Sequence, residues 1–391
     1  MRVLLLSDWM SNTGGAEKYI VALRDSLREQ GDDVRLLFCG PGGHGAGDTR
    51  AYGSDALAAK VVLQIVNPFA VSRVKAMVRE FRPDAAIVSQ FAYHLSPAVL
   101  GALGDVPAVV TMMDYKAICP LGTRLLPNGS ICGVRAGFVC KGNGCVSLPH
   151  WLRDWPRYSL IRNGIAGARR VICPSTWMRQ EMAAAGIEAT MIPLGVMSPA
   201  VTAGVPAPEP TFVYAGRFSR EKGVALLIAA YAKVRSSVPS ARLRLVGDGP
   251  LRRELHALSS ALGVADSVEF PGWSGHDRVS ETLRDAWACV CPSLWAEPFG
   301  LAAVESIAMG IPVIASDSGG FRETVDDGVS GLLFETGSVA SLAERMLAVA
   351  TGGAFPSHRL PPEVVAQARD SFGMTLHASR IRKVLEEIAV A

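Results

Sequence analysis

The sequence predicts an α/β protein built from two doubly wound parallel-sheet domains, and three observations carry that prediction. Short runs rich in leucine and β-branched residues alternate with longer helical patterns along the whole chain, as βαβ units require. A length of 391 residues exceeds one ordinary core and fits two domains of near-average size. Between the halves, "PLGVMSPAVTAGVPAPEPT" is dense in Pro, Gly, Ala and Val and has no helical period. It reads as a linker and puts the boundary near 195 to 210.

In the first half the strand candidates are "RVLLLS", "DVRLLF", "AAIVS", "AVVTM" and "RVICPS". In the second half they are "TFVYAG", "ARLRLVGDG", "SVEFPG", "ACVCPS" and "IPVIAS". The domains are expected at 1–195 and 208–372. The helical stretch "MTLHASRIRKVLEEIAVA", about 373–391, is expected to close back on the first domain. Two Rossmann-like sheets facing one another leave a cleft at the carboxyl ends of their strands, where such folds bind ligands.

A composition of 49% AVILMFWYC and 19% charged residues describes a soluble globular chain. The net charge of +3 is small for this length and argues against a nucleic-acid partner. "MRVLLLSDW" meets Asp8 at once and lacks the h-region and cleavage site of a signal peptide. No apolar run approaches the ~18 residues of a membrane span. The expected location is cytoplasmic, where cysteines are mostly reduced.

Three short stretches carry chemistry. After the first strand, Gly14 and Gly15 open a helix; glycines there let a ligand approach the backbone, although a bare Gly-Gly before a helix is more often just a tight turn. After "TFVYAG", Arg217 and Lys222 stand five apart at a strand's carboxyl end, where both reach one diphosphate; a solvated charged loop is the alternative. In "SLWAEPFGLAAVESIAMG", Pro298 suits only a helix's first turn, so the helix starts near Phe299-Gly300 and runs to Gly310. Glu297 then stands at the helix mouth and Glu305 about one and a half turns inside it. A carboxylate within the helix can accept both hydroxyls of a ribose, while the free amides of Phe299, Gly300 and Leu301 receive phosphate or a sugar hydroxyl. Simpler roles are a dipole-favoured charge for Glu297 and a surface position for Glu305.

With these residues in view, "YAGRFSREKG", "LVGDGP", "VEFPGW", "CPSLWAEPFGLAAVESIAMGIPVIASDSGGFRE" and "GVSGLLF" resemble the nucleotide-sugar-binding half of the family 4 retaining glycosyltransferases, which have the GT-B fold. The resemblance runs from about Phe212 to Phe334 and includes the family's E-x7-E spacing, Glu297 to Glu305; the amino half matches more loosely, through "GGAEKY" and "TMMDY". It implies that Glu297 lies near the transferred sugar and Glu305 holds the ribose. It further implies that Arg217 and Lys222 bind the diphosphate, that Gly247 belongs to the nucleotide site, and that backbone around Phe270 to Trp273 borders the base. Gly14 and Gly15 are implied to close over phosphate or acceptor. Where the family reads His-Asp, this chain reads Met113-Asp114, which keeps a carbonyl near the anomeric centre and loses the histidine; His94 in "SQFAYHLSP" is the candidate substitute.

The implied donor is a UDP- or GDP-sugar, and the implied acceptor is a saccharide, a lipid-linked or a small molecule. No Asp-x-Asp metal signature follows a strand, so no catalytic metal is expected. An epimerase or phosphorylase of the same fold, or a binding protein that has lost catalysis, are the alternatives; no lysine-bound pyridoxal signature supports a phosphorylase.

Two further stretches stay open. Cys119, Cys132, Cys140 and Cys145 fall within 27 residues of a Gly-rich loop with a hairpin expected at Pro127-Asn128-Gly129. They read as ligands of one structural zinc or as independent thiols able to form a disulfide on oxidation. "HWLRDWPRYSLIRNGIAGARR" mixes arginines with Trp151, Trp155 and Tyr158, which suits peripheral contact with an anionic membrane through 150–170, or a helix whose aromatics pack inward and which Pro156 interrupts.

Overall fold

The computed structural model describes residues 1–8, 15–39, 48–54, 56–197, 202–272 and 276–390. Its contacts divide the chain into two units, Met1–Gly195 with Met374–Ala391, and Val196–Gly373. In the amino unit β1 (Arg2–Ser7), β2 (Asp33–Phe38), β3 (Thr49–Arg50), β4 (Ala85–Gln90), β5 (Ala108–Thr111), β6 (Arg170–Cys173) and β7 (Thr190–Met191) form one parallel sheet. Its order is β3-β2-β1-β4-β5-β6-β7. In the carboxyl unit β8 (Thr211–Ala215), β9 (Arg242–Val246), β10 (Val268–Gly272), β11 (Ala288–Cys291), β12 (Val313–Ser316) and β13 (Gly331–Phe334) are also parallel, in the order β10-β9-β8-β11-β12-β13. Each sheet therefore grows outward for three strands and then resumes on the other side of its first, leaving a switch point between β1 and β4 and another between β8 and β11.

The strand runs are apolar because helices cover both sheet faces: Val3 to Leu6 on β1 are wholly buried, as are Val313 to Ala315 on β12. The two-residue edge strands β3 and β7 were not readable as runs at all. From residue 202 the linker-like stretch lies along the carboxyl unit, with the amides of Ala203, Gly204 and Ala207 donating to the carbonyls of Met309, Arg284 and Asp285. Among the described residues no helix is long and apolar enough to cross a membrane.

Pro156 does not interrupt its helix, which runs unbroken from Leu148 to Ala166. The bond its ring forfeits is on the exposed side, beside Leu152, while Asp154, Arg157, Tyr158, Ile161 and Ile165 are buried on the other face. Burial of that face outweighs one lost backbone bond. The aromatics do pack: Trp151 stacks on Trp155 at 5.1 Å, and Trp155 lies 5.2 Å from Tyr158.

At the amino switch point Asp8, buried just after β1, accepts the amides of Tyr93, His94 and Leu95 at 2.7–2.8 Å. One carboxylate thus fixes the loop leaving β4. Asp8→Ala strands three donors, and the expected loss is about 3 kcal/mol, read as a lower urea midpoint with an unchanged m value.

The helix Met374–Val390 packs against the amino unit's helix Gly15–Glu29. Their link is His377, whose Nδ1–H donates to the Pro193 carbonyl at 2.7 Å. Nε2 is therefore the acceptor for the Tyr19 hydroxyl, also at 2.7 Å. Burial lowers the His377 imidazole from 6.5 to about 4. Between those values the unfolded chain takes up a proton that the folded one refuses, so stability is full above about pH 6.5 and falls toward pH 4, by about 3 kcal/mol. A His377→Asn chain, which cannot titrate there, should lose that part of the pH slope in chemical denaturation.

Candidate active site

The loops after β8 and β11 meet at the carboxyl switch point. After β8 a single 3-10 turn, Arg220–Lys222, points Lys222 toward the neighbouring strand's loop. After β11 the chain runs Pro292-Ser293-Leu294-Trp295-Ala296-Glu297, and the Leu294 amide bonds the Glu221 carbonyl at 2.8 Å. The two loops close on an ion pair: Lys222 Nζ lies 2.9 Å from each oxygen of Glu297. Ser293 Oγ at 2.9 Å and Trp295 Nε1 at 2.8 Å donate to the same carboxylate. The Trp295 ring also faces the Lys222 ammonium at 5.1 Å. Glu297 is only 9% exposed, and four donor contacts offset the cost of burying its charge.

The loop after β12 supports this arrangement from below. Gly319 has φ +57, and a Cβ there would stand 2.4 Å from the Glu297 carbonyl oxygen and 2.6 Å from its nitrogen. Only a hydrogen fits. Gly320 then donates its amide to that carbonyl at 2.7 Å, and the hydroxyls of Ser316 and Ser318 bond the carbonyls of Ser293 and Trp295. In the sequence Ser318-Gly319-Gly320 stood only within a stretch that carries the family resemblance, and Ser293 and Trp295 carried no signal of their contact with Glu297.

The predicted helix is present as Leu301–Met309, with Gly300 before it and Gly310 after it, and no side chain caps its start. Its first amides, from Leu301 on, therefore have no acceptor within the helix. Phe299 is buried, its ring edge-on to Phe372 at 5.6 Å, and Glu305 is half-buried within the helix. Arg217 is exposed after β8, and its carbonyl accepts the Tyr214 hydroxyl at 2.8 Å. Burial, then Cys291 and Glu297, push the Tyr214 phenol up, so it stays a neutral donor.

Gly247 follows β9 and its amide bonds the Gly272 carbonyl at 3.1 Å, while the Phe270 ring stacks on His256 at 3.8 Å. Trp273 and Gly14 lie outside the described residues; Gly15 is the exposed first residue of its helix. In the amino unit Met113 and Asp114 follow β5. Ser89 Oγ reaches Met113 Sδ at 3.5 Å, and Asp114 pairs with Lys116 at 2.9 Å. Burial alone lowers the Lys116 ammonium, but Asp114 and Tyr93 together raise it above its ordinary value. His94 is buried, its carbonyl accepting from Asn67 Nδ2 and its amide held by Asp8.

The insert forms the expected hairpin, with Leu125 bridged to Ile131 and a turn at Gly129. Burial, then neighbouring thiols, raises Cys145. Among the described residues no three His, Cys, Asp or Glu side chains gather as a metal ligand set, Cys119, Cys132, Cys140 and Cys145 included. Cys132 Sγ instead lies 3.8 Å from the Val134 carbonyl.

Comparison with known proteins agrees with this architecture. The family model "Glycosyl transferase 4-like domain" matches residues 14–195, and "Glycosyl transferases group 1" matches 202–359. A phosphatidyl-myo-inositol mannosyltransferase of Mycobacterium leprae is 29% identical over 246 residues, 61% of this chain and 62% of that protein, less than two thirds of its length. Among solved structures, a sucrose-phosphate synthase from Thermosynechococcus elongatus superposes with TM-score 0.78 at 22% identity, covering 99% of each chain. Anabaena HepE in complex with UDP-glucose does so with TM-score 0.72 at 18% identity, covering 99% of this chain and 100% of that one. At such identities the superpositions speak for the fold. With one glycosyltransferase model on each unit and GT-B neighbours along its length, the chain belongs to the family 4 glycosyltransferases.

Proposed function

We propose that the protein is a retaining glycosyltransferase that moves a sugar from a nucleoside diphosphate sugar to an acceptor hydroxyl without a metal ion. The observation that carries this reading is the Lys222–Glu297 pair at the switch point, beside an uncapped helix mouth. Departure of the nucleoside diphosphate builds negative charge on phosphate oxygen. Arg217, Lys222 and the amides of Phe299, Gly300 and Leu301 supply fixed positive charge and donors for it. Glu305 takes the ribose, and the backbone from Phe270 to Trp273 borders the base.

Glu297 is saturated with donors and paired with a cation, which makes it a poor nucleophile and a good positioning group. That favours front-face displacement: the bond from the anomeric carbon to the β-phosphate breaks, the acceptor oxygen bonds to the same face, and its proton passes to the departing phosphate. In this scheme Met113 offers its carbonyl to the anomeric centre and Asp114 orients the loop through Lys116. Gly14 and Gly15 close over phosphate or acceptor. The UDP-glucose found with HepE and the lipid acceptor named for the mycobacterial relative make UDP- or GDP-hexoses and lipid-linked or saccharide acceptors the first candidates. Peripheral membrane contact, in the same scheme, is made by the amino unit, where Phe138, Leu148 and Leu152 are 60%, 43% and 59% exposed.

A donor screen monitored by released nucleoside diphosphate tests the reading. Turnover of one UDP- or GDP-sugar in chelator is expected; nucleotide binding without turnover in any acceptor screen would mark a binding protein instead. Glu305→Ala should weaken nucleotide binding by about tenfold with a smaller effect on kcat, as loss of a bidentate ribose contact implies.

A further inference from the structure

The amino unit contains a cavity of about 330 Å³ lined by Arg124, Arg135, Trp155, Tyr158, Arg162 and Asn163 and, among the described residues, by no Asp or Glu. It lies between the hairpin insert, the helix Leu148–Ala166 and Ala185 at the end of the helix Thr176–Ala184. That helix end is at the amino edge of a βαβ sheet, while Arg124 and Arg135 come from the segment that follows β5.

Its three guanidinium groups are held differently. Arg162 donates to the carbonyls of Ala117 at 3.4 Å and Ala185 at 3.0 Å, tying insert and helix together. Arg124 is 8% exposed and pairs through Nη2 with Glu181 at 2.7 Å, while its buried Nε has no acceptor. Arg135 is exposed at the rim, with Nη2 reaching across to the Gly186 backbone. Arg124, Arg135 and Arg162 leave this lining positively charged.

We propose that this cavity is a binding site for a phosphate ester. Two arginines of the insert and one of the helix, offset by the carboxylate of Glu181, suit a dianion. Tetrahedral phosphate offers oxygens in three directions, as a planar carboxylate cannot, and Trp155 with Tyr158 gives the esterified group an aromatic wall. The phosphate can come from a soluble ester or from a lipid headgroup.

Calorimetry with inorganic phosphate, performed on the Arg217→Ala chain to weaken the diphosphate site, is expected to show a site that Arg135→Glu weakens by about tenfold or more. Among the described residues Arg135 makes no hydrogen bond or ion pair, so circular dichroism and melting temperature should match the parent. Flotation with vesicles of phosphatidylglycerol in phosphatidylcholine, against phosphatidylcholine alone, identifies the source. Flotation on the anionic vesicles that Arg135→Glu abolishes assigns the site to a headgroup. A phosphate site sensitive to Arg135→Glu, without such flotation, assigns it to a soluble ester. If neither phosphate binding nor flotation responds to Arg135→Glu, the proposal fails, whatever the donor screen shows.

Discussion

A Glu297→Gln chain should turn over about 10²-fold more slowly than the parent while holding nucleoside diphosphate at least as tightly. The amide keeps the shape of the carboxylate and its contacts with Ser293 and Trp295. What goes is the negative charge 2.9 Å from Lys222 Nζ. Freed of that counter-charge, the ammonium meets the diphosphate with its full field, so ground-state and product binding are kept or strengthened. The fixed position of the ammonium, which matters most when charge develops on the leaving oxygen, is lost. Binding that does not improve in the transition state does nothing for rate. Calorimetry of UDP and GDP beside initial-rate kcat separates the two effects; nucleotide binding weakened tenfold with kcat intact would reassign Glu297 to the nucleotide.

The second large effect is steric. Gly319→Ala drives a Cβ to 2.4 Å from the Glu297 carbonyl oxygen and 2.7 Å from the Ala296 carbonyl carbon, both backbone atoms that cannot swing aside. The Glu297 loop must shift, carrying its carboxylate away from Lys222. Turnover is expected to fall at least as far as for Glu297→Gln, with about 3 kcal/mol of stability lost. Gly337→Ala is the control: φ is +82 and open space surrounds the new methyl, so strain of about 1 kcal/mol and unchanged turnover are expected. Equal activity loss in both variants would show that general destabilisation, and not the Glu297 loop, is responsible.

These expectations rest partly on what the sequence displays and partly on what it hides. The long strands were legible because burial on both faces makes them continuous apolar runs. Glu297 and Glu305 were legible because proline and glycine mark the helix start between them. Contact between Lys222 and Glu297 was not, since it joins residues 75 apart and exists only because β8 pairs with β11. Strand order is a property of packing that no local pattern contains. Asp8 was read as the end of an apolar run, and its service to three amides of a loop 85 residues away had no local sign. Pro156 misled because a breaker's effect depends on whether its side of the helix is needed, which the residue itself does not say.

Tyr19 and His377 stand 358 positions apart. A ribosome emits Tyr19 well before the imidazole that accepts its hydrogen bond, and the whole carboxyl unit is made in between. The carboxyl unit can finish folding during that interval, whereas the amino unit must wait for the helix Met374–Val390 before its interior is sealed. Synthesis therefore completes the two units in nested order, the later-born one first.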